Sequence, residues 1–146
     1  MYGEYRAPRK RRARQITVNG MHASRDTTVL ETILGYDFLD SKLLFLALTH
    51  RSIPLEEDED HNEKLEFLGD SVLDLAISEL LFHAFPSYRE GDLSKLRASL
   101  VNAETLAEKA GVLSLGGWVR MGAGEEQSGG RQKQSILAAT YEAILG

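Results

Sequence analysis

The chain has 146 residues, no cysteine and a formal net charge of −5; this length suits one domain that can bury a core. The absence of cysteine excludes disulfides and thiolate metal sites, and no stretch is apolar and long enough to span a bilayer. The N-terminus lacks the apolar segment of a secretory signal. We therefore expect a cytoplasmic protein that is not embedded in a membrane.

The charge is divided unevenly along the chain. Met1–Arg14 contains six Lys or Arg and one Glu, whereas the remainder contains eleven bases and twenty-one acids. We predict a basic flexible arm at residues 1–24 and one domain at residues 25–146. The arm is equally compatible with nucleic-acid contact and with a solvated tail. A transit peptide is less favoured, because the arm lacks Ser richness and a clear amphipathic period.

Six helices are predicted, and most begin at a residue that caps helices well. In chain order they run from Asp26 to Leu34, Asp40 to Leu48, Asn62 to Ala84, Asp92 to Val101, Asn102 to Lys109, and from Ser135 beyond Glu142. Gly35, Pro86 and Gly111 are expected to end three of them. The Gly-rich segment 111–130 is predicted to be an irregular connection. No alternating strand pattern is present, so the predicted class is all-α.

Three carboxylates share one face of the long predicted helix. Glu63, Glu66 and Asp70 fall within roughly 60° of arc at 100° per residue. Like charges this close repel and add no helix stability, so we expect a cation in front of them. A hard divalent metal, which prefers oxygen ligands, suits this position. The opposite side, predicted to be core, carries Leu65, Leu68, Val72, Leu75 and Ala76.

The same region carries a recognisable sequence pattern. The run HNEKLEFLGDSVL at 61–73 follows ALTHRS at 47–52, and EGDLSKLR at 90–97 and GGRQKQSILA at 129–138 come after it. These four blocks, in this order, resemble the ribonuclease III family of double-stranded-RNA endonucleases, and four ordered blocks are more specific than one short motif. From Thr28 onward, the resemblance implies an all-α multi-helix endonuclease domain. It also implies a homodimer that cleaves double-stranded RNA with Mg²⁺, for which Mn²⁺ is a possible substitute.

The resemblance also implies roles for individual side chains. Glu66, Asp70 and Glu142 match the family's metal ligands, and Glu63 and Glu90 match two further catalytic acids in the valley between subunits. Phe67 matches the aromatic residue through which these domains dimerise; from its position alone it is equally a Phe packed under a loop. Gly69 would admit another backbone or simply allow tight helix packing.

An RNA duplex would be held mainly through its shape, phosphates and 2′-hydroxyls. The candidate contacts, each equally readable as an ordinary surface residue, are Lys95, Arg97, Arg131, Lys133 and Gln134. His50 and His61 are expected to fix helix ends by hydrogen bonding rather than to act in catalysis.

The sequence departs from the family pattern in two places. Ala139 stands where the family has an Asp that would complete the metal site one turn before Glu142. This is either an inactivating substitution or the mark of a natural relative with weakened catalysis, and both predict low activity. The family domain normally continues with more helix beyond Gly146, and bacterial members add an RNA-binding domain, so we expect a fragment or a minimal form. The second hypothesis is a catalytically silent RNA-binding or structural subunit.

Overall fold

A computed structural model describes residues 27–54 and 60–146. Its seven α-helices are α1 Thr27–Leu34, α2 Ser41–Ala47, α3 Glu63–Ala84, α4 Glu90–Leu100, α5 Ala103–Val112, α6 Ala123–Gln127 and α7 Gln134–Leu145. The described part contains no strand, only an isolated bridge between Thr49 and Arg120, so the predicted all-α class is confirmed. The predicted basic arm at 1–24, the cap at Asp26 and the acidic residues 56–59 lie outside the described residues.

Helix α7 is the central element, and it packs most extensively against α3 and α5. The fully buried core beside it comes from α1, α2, α5 and the turn after α5. Its buried members are Leu30, Leu44, Leu48, Ala110 and Leu115. No helix in the described ranges is long and apolar enough to cross a membrane.

Several predicted helix ends are confirmed by capping contacts. The Asp40 carboxylate accepts the Lys42 N–H at 3.0 Å, and the Asn102 side chain accepts the Thr105 N–H at 2.9 Å. These bonds satisfy backbone donors that have no partner inside a helix. Gly35 ends α1 in the left-handed region with φ +68°, where glycine carries no steric penalty.

Two other predicted starts are wrong. Helix α4 begins at Glu90, so Asp92 lies in its first turn, and α7 begins at Gln134, so Ser135 is not its cap. The residues that precede these helices, Arg89 and Lys133, have extended backbones and no side-chain cap bond. A capping residue in the sequence is thus a weaker signal for the first residue of a helix than for the presence of the helix.

The predicted irregular connection between Gly111 and Gly130 contains more structure than expected. Helix α5 continues through Gly111 to Val112, since the Leu113 N–H still bonds to the Lys109 carbonyl at 3.2 Å. Beyond it lie α6 and two 3₁₀ turns, Leu115–Gly117 and Gly130–Gln132. Short turns of this kind carry too few residues to show a hydrophobic period in the sequence.

The predicted core face of α3 is largely wrong. Leu68, Val72 and Leu75 are 48%, 42% and 72% exposed, and Ala76 is also exposed, while Leu65 is half-buried. Helix α7 packs instead against the side of α3 that carries Gly69, because only glycine leaves room there for another backbone. Because α7 packs on this side, the apolar face of α3 is exposed and the acids of α3 lie beside α7.

Candidate active site

The crossing of α3 and α7 is a contact between backbones. A Cβ added at Gly69 would lie 1.8 Å from the carbonyl oxygen of Glu142, and one added at Gly146 would lie 2.1 Å from the carbonyl oxygen of Leu65. Neither position has space for a larger residue without displacement of a helix. The close approach anticipated for Gly69 is thereby present, and it places Glu142 next to the acids of α3.

The predicted acids of the two helices meet at one open cavity of about 290 Å³. Its lining is formed by Glu63, Glu66, Phe67, Asp70 and Glu142. Four of these five residues are carboxylates, and they come from segments more than seventy residues apart in sequence. Glu142 of α7 therefore extends the group of acids that periodicity predicts on one face of α3.

Burial, assisted by repulsion between carboxylates, raises the pKa of two acids in this cavity. Partial burial, with repulsion from Asp70 and Glu66, raises the pKa of Glu142 to about 7. Burial also raises the pKa of Glu66, with a further contribution from Glu63 and Asp70 that Arg51 partly opposes. Shifts of this kind mark groups whose charged form lacks compensation. A cation in the cavity would supply the positive charge that compensates these carboxylates.

The donor set suits a hard divalent ion, because it consists of carboxylate oxygens with room between them. In the described part of the chain, however, no three His, Cys, Asp or Glu side chains converge closely enough to form a ready-made metal site. Carboxylates without a cation between them repel one another, which opposes a closer approach. The residues fit the ion in chemistry and position, while closure of the ligand set would accompany binding.

Two further predicted positions, Ala139 and Glu90, are not among the residues that line the cavity. Ala139 lies one turn before Glu142 on α7 and is partly exposed, so its methyl group offers no ligand where a carboxylate would face the same side. Glu90 lies at the start of α4, where its carboxylate accepts a hydrogen bond from Ser94 at 2.7 Å. Glu90 is not part of this cavity lining, and a role in a valley between subunits stays a prediction.

Sequence reasoning missed Arg51 as a neighbour of the site. Its guanidinium lies 3.5 Å from the Glu63 carboxylate. His50 and His61 both make local hydrogen bonds. The His50 ring bonds to the Ser52 hydroxyl at 2.9 Å, and the His61 ring bonds to the Ile53 carbonyl at 3.0 Å. Arg51 stands in the ALTHRS block, but no periodic signal links this turn to α3.

Three of the predicted RNA contacts lie on α4 or at the start of α7. Lys95 and Gln134 are exposed and stay candidates. Arg97 is half-buried and turns towards α3, where it donates to the Ser78 hydroxyl at 2.8 Å and lies 3.8 Å from the Asp74 carboxylate. An RNA contact by Arg97 would compete with these internal bonds.

The other two predicted contacts are also engaged within the protein. Arg131 donates to the carbonyl oxygens of Gly116 at 2.9 Å and Val119 at 3.0 Å. Lys133 donates to the Glu125 carboxylate, which lowers the pKa of that acid. Arg131 thus ties together two backbone carbonyls of the irregular connection, a role that its sequence context does not reveal.

Comparison with known proteins places the chain in a family. A family described as Ribonuclease-III-like matches residues 40–146. Ribonuclease 3 from Shewanella amazonensis is 53% identical over 113 residues, covering 77% of this chain and 48% of the relative. Ribonuclease 3 from Magnetococcus marinus is 50% identical over 136 residues, covering 86% of this chain and 55% of the relative.

A solved structure gives the same result. The ribonuclease III nuclease domain from Campylobacter jejuni, described for flexibility in a region involved in dimer formation, superposes with a TM-score of 0.77 at 50% identity. The match covers 82% of this chain and 81% of that one. The chain spans about half the length of the curated relatives it matches. It belongs to the ribonuclease III family and corresponds to the bacterial-type catalytic domain.

Proposed function

We propose that this domain is the catalytic part of an endoribonuclease that hydrolyses double-stranded RNA with Mg²⁺, for which Mn²⁺ can substitute. The observation that carries the proposal is the meeting of Glu66 and Asp70 from α3 with Glu142 from α7 at one cavity. Membership of the ribonuclease III family supports the same reaction. Glu66, Asp70 and Glu142 are the proposed metal ligands.

Hydrolysis of a phosphodiester needs an activated water and stabilisation of charge on the reacting phosphate. A divalent ion held by these acids would supply both, because a bound metal lowers the pKa of water and neutralises phosphate oxygens. The protein residues hold and orient the reactants. Deprotonated Glu142 and Asp70 would provide oxygen ligands from two helices, and Glu63, which lines the same cavity, would accept a hydrogen bond from a water molecule.

A homodimer is the proposed working form. Phe67 is 77% exposed at the edge of the cavity, and Leu68, Val72 and Leu75 expose apolar surface along the same helix. An aromatic side chain this exposed favours burial in another subunit. A twofold dimer would place two cavities along one RNA duplex, one for each strand. Glu90 would then face the valley between the subunits.

Catalysis by this chain is proposed to be impaired. Ala139 removes one carboxylate from a site in which no three acids of the described residues yet converge. A silent RNA-binding or structural subunit is the second candidate function, and Ala139 is the observation that favours it. Retention of the other acids around the cavity favours the enzyme, since a cluster of uncompensated charges is costly to keep.

Cleavage of a long RNA duplex in Mg²⁺ tests the proposal. We expect Ala139→Asp to increase the cleavage rate about 10²-fold, because a restored ligand supplies a few kcal/mol of transition-state stabilisation. Adding Glu142→Ala to that variant should abolish the gain. Binding of the duplex without any Mg²⁺-dependent cleavage by Ala139→Asp would favour the silent subunit instead.

The cellular setting proposed for the whole protein follows from its family. Processing of ribosomal precursor RNA and messenger RNA in the cytoplasm is the expected task. Lys95 and Gln134, both exposed, are the proposed RNA contacts whose side chains have no hydrogen-bond partner among the described residues. Arg97, Arg131 and Lys133 would contact RNA only by giving up internal bonds.

A further inference from the structure

Arg51 places a positive charge on the rim of the carboxylate cavity. Its side chain is 71% exposed and lies 3.5 Å from Glu63, which is itself 57% exposed. An ion pair at this distance and exposure is weak, so the guanidinium is available to a stronger partner. In the described residues, Arg51 is the cation whose charge acts on Glu66. Lys64, the nearest basic residue on α3, pairs with Asp60 instead.

The turn that carries Arg51 is held firmly on both sides. The Thr49 carbonyl accepts the N–H of buried Asn62, the residue before α3, at 2.9 Å. The Ser52 hydroxyl accepts the Gly122 N–H at 2.9 Å. Arg51 is therefore an exposed side chain on a fixed backbone, which limits the entropy lost when it binds a ligand.

A phosphodiester chain that approaches four carboxylates is repelled unless positive charge lies along its path. A metal ion would neutralise the reacting phosphate, but the adjoining phosphates of the same strand lie beyond it. A guanidinium matches two phosphate oxygens in a fixed geometry. We propose that Arg51 binds a backbone phosphate of the RNA beside the cavity and so positions the strand. This inference rests on the proposed function, because it requires RNA as the ligand.

Duplex binding at several salt concentrations tests the role of Arg51. The measurement uses the whole chain and a labelled RNA duplex in metal-free buffer, so that binding is not mixed with cleavage. Arg51→Gln should weaken binding several-fold and reduce the slope of log K against log salt by about 1. Arg51→Lys should keep most of the slope, and Lys109→Gln, which removes an exposed charge from α5, should keep all of it.

Glu63→Gln separates phosphate binding from a merely structural ion pair. If Arg51 binds phosphate, loss of its competitor Glu63 should tighten RNA binding more in the unaltered chain than in Arg51→Gln, where only the charge repulsion is reduced. If Arg51 only holds Glu63, the gain from Glu63→Gln should be the same with and without Arg51. Coincident thermal melting curves would show that each variant is folded. A slope unchanged by Arg51→Gln, or lowered equally by Lys109→Gln, would overturn the inference while the proposed function stands. Failure of the unaltered chain to bind duplex RNA in this buffer would also overturn the inference, whereas the cleavage assay in Mg²⁺ tests the proposed function separately.

Discussion

The α-carbon of Gly69 lies against the carbonyl group of Glu142, so that a side chain at position 69 would collide with the backbone of α7. This single contact ties the stability of the helix crossing to the position of a proposed metal ligand. Gly69 therefore determines both the packing of α3 against α7 and the position of the proposed metal site.

Gly69→Ala should destabilise the fold by about 1–3 kcal/mol, the usual cost of overpacking, because the added Cβ would meet backbone that cannot move alone. Gly111→Ala is the matched control, since Gly111 lies in α5 and a Cβ there meets nothing within 4 Å. That control should stabilise by about 0.5–1 kcal/mol. Urea denaturation measures both, and equal effects would show that the crossing is not tight.

Glu142→Gln should change how stability depends on pH. The pKa of Glu142 is about 7 in the fold, raised from 4.5, so the folded state binds this proton more tightly than the unfolded chain does. The group's stabilising contribution is complete below about pH 4.5 and is lost as the pH rises to about 7.

The free energy of unfolding, measured by urea titration in EDTA at pH 5 and pH 8, checks this expectation. The Gln variant cannot ionise, so its stability relative to the parent should increase between the two pH values. A parent and variant with parallel pH profiles would mean that Glu142 is not desolvated as described.

Phe67→Ser should weaken self-association. Loss of a Phe side chain from the interface costs about 1.5–3 kcal/mol of apolar burial. Because a twofold dimer loses two of them, the dissociation constant should rise roughly 10²- to 10⁴-fold. Phe82→Ser is the control, since Phe82 is 67% exposed on the same helix and lies at its far end. Sedimentation equilibrium measures both variants. A dimer weakened equally by both changes, or a protein that never dimerises, would contradict the proposed interface at Phe67.

Local patterns in the sequence predict the acidic face of α3, but they do not predict which side of α3 packs against α7. The spacing of Glu63, Glu66 and Asp70 on one helix is a property of 3.6-residue periodicity, and the structure confirms that they share a face. Glu142 was linked to them only through family resemblance, because no local pattern reports contact between distant segments. Helix α7 packs on the Gly69 side of α3 and not on the predicted core face. Periodicity shows that a helix has an apolar face but not which element covers it.

The role of Arg131 cannot be predicted from the sequence for a related reason. Its partners are backbone carbonyls of a turn twelve to fifteen residues earlier, and any residue type presents such carbonyls. A basic residue in a glycine-rich segment therefore reads as a surface charge. The same holds for Arg51, whose proximity to Glu63 depends on how the turn at Thr49–Ser52 is anchored to α3.

Titration with Mn²⁺, followed by electron paramagnetic resonance, tests most directly whether acids of α3 and α7 hold one divalent ion. We predict a single site per chain that is lost in Asp70→Asn and in Glu142→Gln, tightened by Ala139→Asp, and unchanged by Glu79→Gln, an exposed acid further along α3. Mn²⁺ binding that survives loss of either Asp70 or Glu142 would contradict the account.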